Sequence, residues 1–97
     1  MSNTIKITEN NEVQLPIYVK KGEGEYLAVM GPVEGSPVRY REVNFRAGGT
    51  YAHVATYCHM NAADAIKAIM GGEQVTREEF LLAFAEADKK VLTAVQP

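Results

Sequence analysis

The chain has 97 residues, 46 % apolar and 23 % charged, with ten basic against twelve acidic groups and a formal charge of −2. That length suits a single domain over residues 1–97 with one modest core, and the composition excludes a disordered chain. The near balance of charge excludes the strong basic field of a general nucleic-acid binder, and the lone Cys58 excludes an internal disulfide.

A single cysteine fits a reducing compartment, so a cytoplasmic location, as in a bacterial host cell, is expected. The first residues lack the apolar stretch of a signal peptide. No apolar run approaches the roughly 18 residues that a membrane helix requires, so no membrane role is expected.

Residues 4–8 alternate apolar and polar, which predicts a short strand. Residues 9–12 form a polar turn. Residues 13–20 read as a second strand. Pro16 lacks an N–H there, which marks an edge position or a bulge. A turn at residues 21–24 leads into a third strand at 25–30, and Gly22 and Gly24 permit the positive φ that such a hairpin needs. Lys20 or Lys21 is placed to pair with Glu25 across it.

Two glycines and two prolines make 31–37 a loop. Residues 38–46 predict a fourth strand. Val38 and Tyr40 share one parity while Val43 and Phe45 share the other, which points to a bulge near Glu42. Residues 50–58 read as a fifth strand, or as the start of a helix.

Two helices follow. Asn61 is a good N-cap before an Ile66, Ile69, Met70 stripe, and Gly71 and Gly72 suit a left-handed end. Thr76 to Glu79 is a capping box, with Val75 and Phe80 placed as a hydrophobic staple. Phe80, Phe84, Ala87, Val91 and Val95 then repeat at helical spacing, flanked by Leu81 and Leu92. Strands first and helices second predict an α+β fold: a four- to five-stranded, mainly antiparallel sheet with two C-terminal helices on one face.

The residues that carry chemistry are few. His53, Cys58 and His59 form the only cluster of soft ligands, and their spacing matches no zinc pattern. On a regular strand, neighbours face opposite sides, so Cys58 and His59 do not make a nucleophile–base pair. No catalytic residue, metal or cofactor is expected. Gly22 and Gly24 lack the third glycine and the following helix of a dinucleotide site.

Binding surfaces are better represented. Arg39, Tyr40, Arg41 and Arg46 on one strand resemble a stacking platform for single-stranded nucleic acid. Arginine and tyrosine equally suit a protein interface. Glu23, Glu25, Glu79 and Glu86 imitate phosphates if the fold gathers them on one face. Leu82, opposite the apolar stripe of the last helix, suits an anchor for a partner or for a homodimer.

The layout of residues 15–20, a glycine-rich hairpin, and a terminal helix opened by Val75, Thr76, Glu78, Glu79 and Phe80 resembles small phage and prophage proteins. In size and composition it is similar to anti-CRISPR proteins. The resemblance implies a non-enzymatic domain that binds a host protein or ribonucleoprotein, such as a CRISPR surveillance complex, and blocks its nucleic-acid-binding surface. It implies direct nucleic-acid binding less strongly.

Overall fold

A computed structural model describes residues 3–35, 38–48 and 51–95; at 47–48 and 51–59 it describes the backbone alone. The elements are β1 (Thr4–Thr8), β2 (Asn11–Gln14), β3 (Ile17–Gly22), β4 (Glu25–Pro32), β5 (Arg39–Gly48), β6 (Tyr51–Asn61), α1 (Ala62–Gly71), β7 (Glu73–Val75) and α2 (Arg77–Val95). β1 and β2 form a separate antiparallel pair. The other five strands form one antiparallel sheet in the order β6-β5-β4-β3-β7. The expected α+β class and antiparallel sheet are both present.

Pro16 divides the segment read as one strand over 13–20. The Leu15–Pro16 peptide is cis, β2 ends at Gln14, and β3 begins at Ile17 in the other sheet. Lacking an N–H, Pro16 cannot donate to a continuous ladder. In the β3–β4 hairpin Gly24 takes positive φ, at 72°, as the turn demands.

The side chains of β3 and β4 alternate between two cores. Ile17, Val19, Leu27 and Val29 pack with Ala65 and Ala68 of α1 and with Ile5 and Leu15 around the β1–β2 hairpin. Tyr18, Tyr26, Ala28 and Met30 pack with Phe80, Ala83, Phe84 and Ala87 of α2. Successive residues of a strand point to opposite faces. The helices therefore divide between the two faces of the sheet, where the sequence pattern placed both on one. With both faces covered, 26–30 is apolar throughout and does not alternate.

The same two-sided burial explains β5. Tyr40 belongs to the α1 core, and Val43 and Phe45 to the α2 core. Register shifts do flank Glu42, but the extra residues lie in the neighbouring strands. Met30 is the extra residue on β4, and β6 carries one opposite Val43.

Aromatic rings dominate the α2 side. Phe80 lies 5.0 Å from Tyr18 and 5.2 Å from Phe45 between centroids, and Phe45 stacks on Tyr26 at 5.2 Å. Phe84 meets Phe45 edge-on at 5.3 Å. Each such pair contributes about 0.5–1.5 kcal/mol beyond the area it buries.

Both helix starts are capped as expected. Asn61 Oδ1 accepts from the Asp64 N–H at 2.8 Å, and Thr76 Oγ1 accepts from the Glu79 N–H at 3.1 Å. The end of α1 differs from expectation. Gly72 is extended, with φ −107°, and its N–H returns to the Ala68 carbonyl. The extended backbone feeds straight into β7, a three-residue strand too short to show in the pattern.

Candidate binding groove

Beside α1, the sheet face is left open over β4 and β5. The resulting groove has a volume of about 980 Å³. Its floor includes Leu27 and Asn44; Asp64, Lys67, Ala68 and Gly71 of α1 form one wall. Lys21, Glu25 and Arg46 close one end, and Arg39, Met60 and Asn61 lie toward the other. α1 is held there because Asn61 caps it directly off the end of β6, and the Ala62 N–H donates to the Val38 carbonyl.

Charge in the groove is mixed. Lys21, Arg39, Arg46 and Lys67 are basic, and Glu25, Glu42 and Asp64 are acidic, so among the described residues seven of the fifteen that line it are ionic. Arg46 is salt-bridged to Glu25, its direct partner across the β4–β5 ladder. Arg46, not Lys20 or Lys21, is the partner of Glu25. Lys20 places its Nζ 6.0 Å from the centre of the Tyr26 ring. The Glu25–Arg46 pair is partly exposed, so it contributes only about 0–1 kcal/mol.

The expected acidic contacts do not gather. Glu23 is in the β3–β4 turn and Glu25 is in the groove on the α1 side. Glu79 and Glu86 are exposed on α2, across the sheet. Leu82 is 71 % exposed on the outer side of α2.

The arginine strand is also divided. Tyr40 is only 9 % exposed and belongs to the α1 core, which leaves it no free face for stacking a base. Arg39 and Arg46 line the groove, whereas Arg41 stands beside Gly31 and Asn3.

His53, Cys58 and His59 lie on β6, where only the backbone is described. His53 is in register with Arg46, Cys58 with Glu42 and His59 with Arg41. The register shift opposite Val43 breaks the simple parity that a regular strand would give them. Among the described residues, no three His, Cys, Asp or Glu side chains form a metal-binding group.

Lys21, Glu42, Asn61, Asp64 and Lys67 all line the groove, and none of them stands out in the sequence as a binding residue. They come from four separate elements, β3, β5, β6 and α1, and they meet only because α1 crosses the sheet. Among the described residues, no helix is long and apolar enough to cross a membrane. No family model, no curated protein and no solved structure matches the chain.

Proposed function

We propose that this chain is a protein-binding module without bond-making chemistry of its own, and that the groove beside α1 takes an extended segment of its partner. The observation that supports this is the groove's lining: charges of both signs around a partly apolar floor. Small-molecule sites are concave and mostly apolar, with few polar groups. An open trough with seven ionic side chains suits a polypeptide that carries both charge signs, where complementarity sets specificity and encounter rate.

The narrower reading, an inhibitor of a bacterial defence complex such as a CRISPR surveillance complex, rests on the resemblance in layout. Within it, occlusion of a protein surface fits better than phosphate imitation, because Glu25 is neutralised by Arg46 and the α2 carboxylates lie on the other side of the sheet.

The test is capture from bacterial lysate with wild type and with Arg39→Glu/Lys67→Glu. Both residues are exposed, so the variant should fold. Loss of the same captured protein from the variant, with retention by Leu82→Ala, is expected. Equal capture by wild type and the groove variant would overturn the groove as the docking site.

A further inference from the structure

We infer that this protein closes on itself as a two-fold dimer, in which β6 pairs antiparallel with β6 of a second copy and the ends of the two α2 helices pack together. Two features at the same side of the molecule lead there.

The first is the edge of the sheet. β6 has eleven residues, and among the described residues its outer side pairs with no strand. Exposed edges are ordinarily blunted by charge, proline or shortness. The opposite edge, β7, is three residues long and carries Glu73. β6 is neither short nor guarded by charge or proline: residues 51–61 contain no Asp, Glu, Lys, Arg, Pro or Gly, and its one irregularity is the extra residue opposite Val43. Two copies pairing antiparallel would set no like charges opposite each other.

The second is α2. Phe80 packs on β3, β4 and β5, Phe84 on β5, and the helix continues across β6. Ala87 is the last buried residue, and every residue from Asp88 to Val95 is exposed. The helix therefore runs on past the sheet at the side where β6 is unpaired. This overhang is apolar in part: Val91 is 38 % exposed, Leu92 55 % and Val95 74 %.

A second copy satisfies both features at once. A two-fold axis perpendicular to the sheet keeps both α2 helices on the same face. Each overhang then lies above the partner's β6 and alongside the partner's helix. An eleven-residue strand is roughly 36 Å long, so an edge contact about 10 Å thick buries about 700 Å² over both copies. A stable interface needs roughly 1,200 Å². The exposed valines and leucine of both helices supply apolar area toward the remainder. The pairing is isologous, so it stops at two, and the short β7 edges left at the ends do not continue it.

The experiment is sedimentation equilibrium on the full chain, with hydrogen exchange read across β6 over a range of concentrations. A dimer is expected whose β6 amides gain protection as concentration rises. Leu92→Lys/Val95→Lys, at exposed sites that leave the fold intact by circular dichroism, should weaken it at least about tenfold. A monomer at all concentrations would overturn the inference. So would a dimer in which β6 exchange does not depend on concentration, or one that the lysine pair leaves unchanged. Leu92 and Val95 belong to α2, on the face of the sheet away from the groove, so loss of the dimer through the lysine pair and loss of partner capture through Arg39 and Lys67 are separately readable.

Discussion

The side-chain amide of Asn3 occupies the place that a β-carbon on Gly31 would need. Its Nδ2 donates to the carbonyls of Leu15 and Met30, at 3.2 and 3.3 Å, and ties the β1–β2 hairpin to the far end of β4. A β-carbon at Gly31 would stand 2.5 Å from Asn3 Oδ1 and 3.0 Å from the Arg41 guanidinium.

Gly31→Ala is therefore expected to destabilise the fold by about 1–3 kcal/mol, since Asn3 can give way only by releasing its two carbonyls. Asn3→Ala removes the obstacle. In a double-mutant cycle followed by urea unfolding, the two changes together should cost less than their separate effects combined. Strict additivity would show that the glycine is not needed for this contact.

Gly71 and Gly72 are expected to respond in opposite directions. A β-carbon at Gly72 would meet Val19 Cβ at 3.1 Å and the carbonyls of Ala68 and Lys20 at 3.2 and 3.3 Å. Gly72→Ala should lower the thermal midpoint. At Gly71 nothing lies within 4 Å, and the residue is the last of α1. Gly71→Ala should raise stability by up to about 0.5–1 kcal/mol through helix propensity.

Phe80 touches three aromatic rings from three different strands. Phe80→Ala should cost about 3–5 kcal/mol and collapse the near-ultraviolet dichroism of the cluster. Thr76→Ala, which removes only the cap one turn earlier, should cost about 1 kcal/mol. The ratio of the two, read from urea midpoints, measures how far packing outweighs capping in holding α2.

Arg46→Ala should change stability by less than about 1 kcal/mol, and by less still at high salt. Both partners of the Glu25–Arg46 pair are partly exposed. A loss of several kcal/mol would mean that the pair is structural and the groove end is fixed by it.

The local signals in the sequence served well where the chemistry is local. Asn61 and Thr76 cap the helices they were expected to cap, and the glycine turn before Glu25 closes a hairpin. What depends on distant contacts was less visible. Both helices carry apolar stripes, but nothing in either stripe says which side of the sheet it covers. The fully apolar run 26–30 was the trace of two-sided burial, readable as such only beside Tyr18 and Tyr40 with their different cores. Lys67 and Asp64 acquire a place only where α1 lines one groove together with Asn44, a relation with no sequence signature. Tyr40 gave the opposite difficulty: its neighbours Arg39 and Arg41 made it look like part of a surface, and it is core.

β4 serves two interiors with alternate residues, and this fixes its length from both sides. Adding or deleting one residue within 26–29 would send Leu27 toward α2 and Ala28 toward α1 together, exchanging a large and a small side chain in both layers. At Met30 the strand already accommodates a supernumerary residue without reversing what precedes it. Length variation in this strand is therefore excluded from 26–29, the stretch that the two layers share.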